Sequence, residues 1–458
     1  MRERLAAIDL QSLRDRAADA ETELCNFGIT FTVYTQKEAI DRILPFDVIP
    51  RLLSGADFDV IERGVTQRVT AINHFLWDIY HEQKILKDGV VPKDLVLRNA
   101  NFRPEMADID VAHGTYVHIN GTDIMRDGSG AFLVLEDNGR SPSGVSYVVE
   151  NRHLMQRAFP DLLDKIPVKP VSNYGQRLHE ALAEIASPAT LDPQVVLLSP
   201  GTYNSAYFEH IFLAREMGVP LVEGRDLVVE SDDRVYMRTI GGLQAVDVIY
   251  RRINDDFLDP EAFNPDSMLG APGLMRAFAK GNVALANAIG TGVADDKAVY
   301  AYMPRIISYY LSEDPIIDNV ETHICREAEG LAYTLDNLDS LVTKPVGEAG
   351  GYGIVVGPKA TREELETSRK LIEADPANYI SQPMIELSVR SASSARPGGT
   401  VMSPTRNTDP ATSIGPPCGA SIRPFSITMV NVLPTRLAYP APSSTGGKVR
   451  MNFTSALL

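Results

Sequence analysis

The chain has 458 residues, of which 44% are hydrophobic and 23% charged, a composition that excludes a largely disordered chain or a coiled coil. Its net charge of −16 argues against a nucleic-acid partner, because binding to a phosphate backbone needs a basic face. No apolar run is long enough to span a membrane and the charged N-terminal stretch has no apolar signal core, so we expect a cytoplasmic protein without a membrane anchor.

The first third of the chain alternates helical and extended patterns. Apolar residues recur at helical spacing in "DFDVIERGVTQRVTAINHFLWDIYHEQKIL", which predicts an amphipathic helix. The following "AHGTYVHINGTDIMRDGSGAFLVLEDNG" contains two extended runs joined at "DGSG" and predicts a β-hairpin.

From Pro193 the pattern changes to that of a small α/β sheet. "QVVLLSP" and "VPLVEG" are short apolar runs on either side of the helical "SAYFEHIFLAREMG", which ends at Gly218. The hairpin-like "LVVESDDRVYMRT" and the apolar "VDVIYRR" complete the predicted sheet. A later helix is predicted from Thr361 to about Ala374, with Thr361 as N-cap and Glu364 three residues on.

The hairpin carries polar residues that suit a metal ion. With a two-residue turn at Gly128-Ser129, position 123 lies opposite position 134 and diagonally next to 136, so Asp123, Glu136 and Asn138 converge on one face. Carboxylate and amide oxygens are the ligands that Mg²⁺ prefers. The alternative is a solvated hairpin end. Two arginines nearby, Arg126 and Arg140, would pair either with phosphate or only with these carboxylates.

A second candidate site is the glycine-rich "LVTKPVGEAGGYGIVVGP" at 341–358. Its lysine precedes the glycines and both flanks are extended, which fits neither a Walker loop nor a dinucleotide-binding fingerprint. Backbone amides of such a loop can fold over an anion while Lys344 supplies a fixed positive charge. The alternative is an ordinary β-turn with a surface lysine. The candidate loop glycines are Gly347, Gly350, Gly351 and Gly353.

Together these features resemble the circularly permuted ATP-grasp proteins, the bacterial branch related to glutathionylspermidine synthase. The similar segments include "HINGTDIMRD", "VLEDNGRSPSGVSYVVENR", "SPGTYNSAYFEHIFLAREMGVPLVEGRDL", "VDVIYRRINDDFLDP", "GNVALANAIGTGVADDKAVYAYMP" and "TKPVGEAGGYG". The resemblance implies a mixed α/β, circularly permuted ATP-grasp fold with an inserted pre-ATP-grasp-like α/β domain.

The implied division of the chain has four parts. Residues 1–165 form the N-terminal part of the permuted ATP-grasp with the metal-binding hairpin, and 166–292 the α/β substrate domain. Residues 293–389 carry the nucleotide-binding part with the glycine loop. Residues 390–458 are an atypical tail rich in Ser, Pro and Thr, in which only "FSITMVNVL" has the pattern of a strand.

The resemblance also implies roles for individual residues. Glu136 and Asn138 match the Glu-x-Asn metal pair, with Asp123 as the upstream carboxylate. Lys344 matches the phosphate- and adenine-side lysine of the glycine loop. Two more residues are implied by less distinctive patterns. Lys297 would be a second nucleotide-contacting lysine or else a helix-surface lysine, and Gln382 a hinge residue near the adenine or else a strand-end glutamine. Arg252 would be a substrate or phosphate contact, and its alternative is a surface ion pair with Asp255 or Asp256.

The implied activity is an ATP- and Mg²⁺-dependent carboxylate–amine ligase that proceeds through an acyl phosphate, with Arg126 and Arg252 as catalytic candidates. Its substrates would be small-molecule or peptide carboxylates and amines. Two alternatives stay open. One is an ATP-dependent phosphotransferase. The other is a nucleotide-binding partner protein with impaired catalysis, because the tail after Arg390 departs from the family's "LRPF" and "VVNSSQGGG" pattern.

Overall fold

The computed structural model describes residues 4, 7–34, 39–43, 53–347, 353–385, 428–435 and 452–456. In these ranges the helices are α1 (Leu10–Asn26), α2 (Gly55–Tyr80), α3 (Lys84–Lys87), α4 (Lys93–Leu97), α5 (Val145–Ala158), α6 (Pro160–Leu163), α7 (Tyr174–Ala183), α8 (Tyr207–Met217), α9 (Leu274–Ala279), α10 (Lys297–Ala301), α11 (Met303–Leu311), α12 (Ala328–Asp336) and α13 (Arg362–Ala374).

The strands in the same ranges are β1 (Thr30–Tyr34), β2 (Ala39–Ile43), β3 (Asn120–Arg126), β4 (Phe132–Asn138), β5 (Val195–Leu198), β6 (Leu221–Val222), β7 (Leu227–Val229), β8 (Val235–Thr239), β9 (Gly242–Ala245), β10 (Val248–Arg251), β11 (Ala284–Ala286), β12 (Asp318–Asn319), β13 (His323–Ile324), β14 (Leu341–Pro345), β15 (Val355–Val356), β16 (Tyr379–Pro383), β17 (Thr428–Thr435) and β18 (Asn452–Ala456).

The long helix α2 is buried along much of its length. It begins with a capping box: the Ser54 hydroxyl accepts from the backbone N–H of Asp57, and the Asp57 carboxylate accepts from the backbone N–H of Ser54. Two backbone N–H groups that have no partner within the helix are thereby satisfied. Its apolar residues are buried in two clusters, one around Ile72, Phe75 and Ile79 and the other around Val65 and Val69. The predicted amphipathic helix is thus confirmed, although it is buried around most of its circumference.

The predicted hairpin is present as β3 and β4, which lie in a five-stranded sheet of order β12-β4-β3-β17-β18. Strand β12 pairs parallel to β4, and β17 pairs antiparallel to β3. Strand β17 overlaps the predicted "FSITMVNVL" segment at 425–433 and extends two residues beyond it. Most of the remaining tail lies outside the described residues.

The segment from Pro193 onward forms the predicted α/β unit. Strands β11, β10, β5 and β6 make a parallel sheet in that order. Helix α8 connects β5 to β6 and ends at Gly218, whose φ of 71° is the left-handed conformation that glycine adopts without cost. The predicted hairpin "LVVESDDRVYMRT" forms β7 and β8, but the prediction that it completes the same sheet is wrong: β7, β8 and β9 make a separate antiparallel sheet, whose Leu227, Val235 and Met237 are buried in the main core cluster.

The third part of the chain folds as an antiparallel sheet of order β13-β16-β14-β15. Helix α13 begins after Thr361, whose hydroxyl accepts from the Glu364 backbone N–H, while the Glu364 carboxylate accepts from that of Thr361. The predicted capping box is confirmed. In the part of the chain that the structure describes, no helix is both long and apolar enough to cross a membrane.

Candidate nucleotide and metal site

The two hairpin carboxylates face each other directly. Asp123 in β3 pairs with Glu136 in β4, and Gly121 pairs with Asn138. Directly opposite residues of antiparallel strands point to the same face, as do residues two apart on one strand. The backbone therefore brings Asp123, Glu136 and Asn138 to one face of the sheet.

The predicted register of this hairpin is wrong by one residue. The connection is a five-residue loop, 127–131, closed by a hydrogen bond from the Asp127 N–H to the Ala131 carbonyl, and Ile124 rather than Asp123 lies opposite Val134. The Asp127 carboxylate favours this longer loop because it accepts from the backbone N–H groups of Ser129 and Ala131. A register shift, of the kind that a β-bulge makes, then falls between Asp123 and Ile124 and restores the convergence of the carboxylates.

Asp123 is buried in an electrostatically costly position. It is 6% exposed, and its Oδ1 has no hydrogen-bond partner among the described residues. Burial raises the pKa of Asp123 well above its ordinary value, and the neighbouring Glu136 carboxylate raises it further. A buried acceptor without a donor, beside a second carboxylate, has the chemistry of a cation ligand. A divalent cation would satisfy the orphaned oxygen and remove the repulsion.

Two lysines approach the carboxylates from other elements. The Nζ of Lys297, the first residue of α10, lies 3.6 Å from Oε2 of Glu136. Lys344 in β14 is 7% exposed. Burial lowers the pKa of Lys344, while Glu136 acts in the opposite direction and Lys297 adds to the lowering. Four ionisable side chains from β3, β4, α10 and β14 thus meet at one place, two acidic and two basic.

The backbone links the two lysine-bearing segments. The N–H of Lys297 donates to the carbonyl of Val346, which directly follows β14, at 3.2 Å. The preceding residue, Asp296, caps α10 by accepting from the N–H groups of Ala298 and Val299. The start of α10 is therefore fixed relative to the strand that leads into the glycine-rich loop.

Gln382 lies on the same sheet face as Lys344. In the β14–β16 pairing Lys344 is opposite Ile380 and Val342 is opposite Gln382, so these side chains share one side of the sheet. The Gln382 amide donates to the Thr322 hydroxyl at 2.9 Å, and its Oε1 is buried without a partner among the described residues. An unpaired amide oxygen next to a lysine is suited to a ligand that donates a hydrogen bond.

The ends of the glycine-rich loop are arranged as the sequence predicts. Strands β14 and β15 pair antiparallel on either side of it. Gly353 has a φ of 71°, and a Cβ there would lie 2.7 Å from Cγ of Pro345, so this position favours glycine both by conformation and by space. A Cβ at Gly347 would meet nothing within 4 Å. Gly350 and Gly351 lie outside the described residues.

A supporting layer holds the residues that follow Asn138. The Asp295 carboxylate accepts from the N–H groups of Gly139 and Arg140 at 2.5 and 3.0 Å, and the Asn287 amide donates to the Gly139 carbonyl at 2.7 Å. Burial raises the pKa of Asp295 to about 6, although Arg140 and these two N–H groups lower it in part. The sequence reasoning missed Asp295 and Asn287. The signal in the sequence that could have indicated Asp295 was the acidic pair Asp295-Asp296 directly before Lys297.

The two arginines predicted to be catalytic have other partners. The Nε of Arg126 donates to the Gly130 carbonyl at 2.9 Å, at the loop end of the hairpin. Arg252 is buried, and its guanidinium donates to Glu209 at 3.0 Å and to the Pro142 carbonyl at 2.6 Å. The alternative partner Asp255 pairs with Arg251 instead. Substrate roles for Arg126 and Arg252 stay predictions.

The donor set has the character of a magnesium and phosphate site. In the described ranges no group of three or more His, Cys, Asp and Glu side chains could hold a metal, so an all-protein cage of the zinc or calcium kind is not formed there. Two carboxylates and an amide oxygen instead suit Mg²⁺, which keeps several waters and takes further oxygens from substrate phosphates.

The chain is similar over most of its length to several bacterial proteins. The chain is 51% identical over 376 residues to an uncharacterised protein of Synechocystis sp., covering 82% of this chain and 78% of that one. It is 49% identical over 384 residues to an uncharacterised protein of Mycobacterium tuberculosis, covering 84% and 69%. It is also 42% identical over 383 residues to a Frankia alni protein named "Putative glutamate--cysteine ligase 2-3", covering 82% of this chain but 44% of that protein.

The fold has a distant solved neighbour. A glutathione synthetase-like effector from Globodera pallida superposes with a TM-score of 0.52 at 12% identity, covering 83% of each chain. At that identity the likeness concerns the fold alone. Residues 50–382 match the family described as a circularly permuted ATP-grasp. The hairpin with its carboxylates early in the chain, and the lysine and glycine loop late in it, both lie within that match, and the chain belongs to the circularly permuted ATP-grasp family.

Proposed function

We propose that this protein is an ATP- and Mg²⁺-dependent carboxylate–amine ligase. The observation that carries the proposal is the meeting of Asp123 and Glu136 with Lys297 and Lys344 in a circularly permuted ATP-grasp chain. Transfer of a phosphoryl group demands mainly positioning and charge neutralisation, and these side chains supply both.

Each residue has a defined task in this proposal. Asp123, Glu136 and the Asn138 amide would hold Mg²⁺, which would neutralise charge on the phosphates of ATP. Lys344 and the amides of the glycine-rich loop would hold those phosphates in place. Lys297 pairs with Glu136 in the absence of ligand, and it would turn to a phosphate oxygen when the metal takes over the carboxylate. Gln382 would accept a hydrogen bond from the adenine amino group.

The chemistry then needs no protein nucleophile. A substrate carboxylate oxygen attacks the γ-phosphorus and ADP leaves, which gives an acyl phosphate. An amine nitrogen next attacks the acyl carbon and phosphate leaves, which gives an amide. The Frankia alni relative is named as a ligase of the same reaction class. The chain spans 44% of the length of that relative, so the proposal leaves the identity of the carboxylate and of the amine open.

The test is release of ADP and phosphate with a panel of amino acids, short peptides and polyamines. We expect ADP release only when a carboxylate and an amine are both present, with an amide as product, and we expect Lys344→Ala and Glu136→Gln to abolish it. A stable phosphorylated substrate would instead indicate a phosphotransferase. ATP binding without ADP release on any mixture would indicate a nucleotide-binding partner protein, and either result would refute the ligase proposal.

A further inference from the structure

Arg68 forms a buried polar junction behind the candidate metal site. It lies in the middle of α2 and is 1% exposed. Its Nε and Nη2 donate to the Asp137 carboxylate, and its Nη1 donates to Oδ1 of Asn319 at 2.7 Å. The Asp137 carboxylate also accepts from the Thr122 hydroxyl at 2.9 Å. Every one of these partners is buried or half-buried.

The junction joins the two elements that carry Glu136 and Lys297. Asp137 lies between Glu136 and Asn138 in β4 and points to the opposite face. Asn319 donates to the carbonyl of Tyr300 at 2.9 Å, and the Arg68 guanidinium carbon lies 5.8 Å from the centre of the Tyr300 ring. Tyr300 is one helical turn beyond Lys297 in α10, and its hydroxyl donates to the Val134 carbonyl. A single guanidinium therefore ties β4 and α10 together.

Stability alone is a poor explanation for this ion pair. Removing two charges from water costs several kcal/mol per ion, and well-packed apolar residues of similar volume often stabilise a core as well or better. The neighbouring turns of α2 contribute apolar residues to the same region, among them Val65 and Val69. The charged pair adds a directional contact, because a bidentate guanidinium–carboxylate interaction fixes the orientation of both partners.

We propose that Arg68 is a positioning residue for the metal site: through Asp137 and Asn319 it sets the placement of Glu136 relative to Lys297, and so the affinity for Mg²⁺. This rests on the proposed nucleotide and metal site, but not on the identity of the reaction. Residues that orient metal ligands from behind change metal affinity by about 10–100-fold when they are replaced.

The test uses calorimetric titration of the full chain with ATP at stepped Mg²⁺ concentrations, together with thermal unfolding. Two variants are compared with the unaltered chain. The double variant Arg68→Met with Asp137→Leu replaces the pair by apolar residues and leaves no unpaired charge. Arg68→Lys keeps the charge, but an ammonium group lacks the planar array of N–H donors with which the guanidinium contacts Asp137 and Asn319 together. The control is Leu213→Ala, a fully buried residue of α8 in the α/β unit.

We expect the Mg²⁺ concentration at half-maximal ATP binding to rise about 10–100-fold in the double variant and by a smaller factor in Arg68→Lys. The ATP affinity at saturating Mg²⁺ should stay close to that of the unaltered chain. Leu213→Ala should lower the melting temperature and leave the Mg²⁺ midpoint unchanged. If the double variant does not fold, the shift in Arg68→Lys decides the question.

An unchanged Mg²⁺ midpoint in a folded variant would overturn the positioning role while leaving the proposed function intact. Absence of Mg²⁺-dependent ATP binding in the unaltered chain would overturn the proposed function and this inference with it. The two failures are therefore distinguishable in one series of titrations.

Discussion

Replacing Asp123 by Asn should make the ligand-free protein more stable and the ligand-bound protein less stable. Asp123 is directly opposite Glu136, and such pairs have Cβ atoms about 5 Å apart. Two unit charges at that distance repel by about 3 kcal/mol at an effective dielectric constant of about 20. The charge of Lys344 offsets part of this repulsion. We therefore expect Asp123→Asn to raise the free energy of unfolding by about 1–2 kcal/mol, or the melting temperature by about 1–2 °C.

With MgATP added, the unaltered chain should be more stable than Asp123→Asn. At about 100 times its dissociation constant a ligand stabilises the native state by about 2.7 kcal/mol. The variant should lose most of that gain, because it lacks one metal ligand. Thermal unfolding of both proteins, with and without MgATP, measures the crossover.

The matched control is Asp137→Asn, the same substitution on the adjacent strand of the same hairpin. It leaves the buried Arg68 charge unpaired and should lower the free energy of unfolding of the ligand-free protein by about 3–5 kcal/mol, the opposite direction to Asp123→Asn. The reasoning is refuted if Asp123→Asn destabilises the ligand-free protein and retains the full MgATP-induced shift. Asp123 would then be a structural residue rather than a strained metal ligand.

Two further predictions concern the half-buried Asp295 and the buried Glu209. The raised pKa of Asp295, about 6 in the folded protein, means that its contribution to stability is fully present below about pH 4 and is lost as the pH rises through 6. Titration of Asp295 should lower the free energy of unfolding of the unaltered chain by about 2 kcal/mol between pH 4 and 6. Asp295→Asn should lack this decrease, which urea unfolding across the same pH range measures. An identical pH profile in the variant would contradict the assignment. Glu209→Ala should cost about 3–5 kcal/mol in thermal or urea unfolding, because it leaves the Arg252 guanidinium and the N–H groups of Gly144 and Ser146 without their acceptor. A loss below about 1 kcal/mol would show that water replaces the carboxylate.

Local patterns were sufficient to predict the secondary structure around the site. Helix α13 with its capping box, helix α8 ending at Gly218, the strands on either side of it and the hairpin of β3 and β4 all follow from periodicity and from cap or turn residues. These signals are encoded within a few neighbouring positions, so they can be interpreted without tertiary contacts.

The errors and omissions have tertiary or side-chain causes. The hairpin register was wrong because the Asp127 carboxylate stabilises a five-residue loop and an irregularity after Asp123 restores the pairing. Asp295 was missed because its partners Gly139 and Arg140 are 156 and 155 residues away in the chain. Arg68 was missed because a charged residue in an amphipathic helix is normally assigned to the solvent face.

The central claim is that carboxylates early in the chain and a lysine late in it form one nucleotide and metal site. Calorimetric titration with ATP, at saturating Mg²⁺ and without Mg²⁺, tests this directly for the unaltered chain, Glu136→Gln and Lys344→Ala. We predict Mg²⁺-dependent binding that loses its metal dependence in Glu136→Gln and weakens about 10–100-fold in Lys344→Ala, since hydrogen bonds to charged groups contribute about 1.5–3 kcal/mol. Unchanged affinity and unchanged Mg²⁺ dependence in both variants would contradict the account.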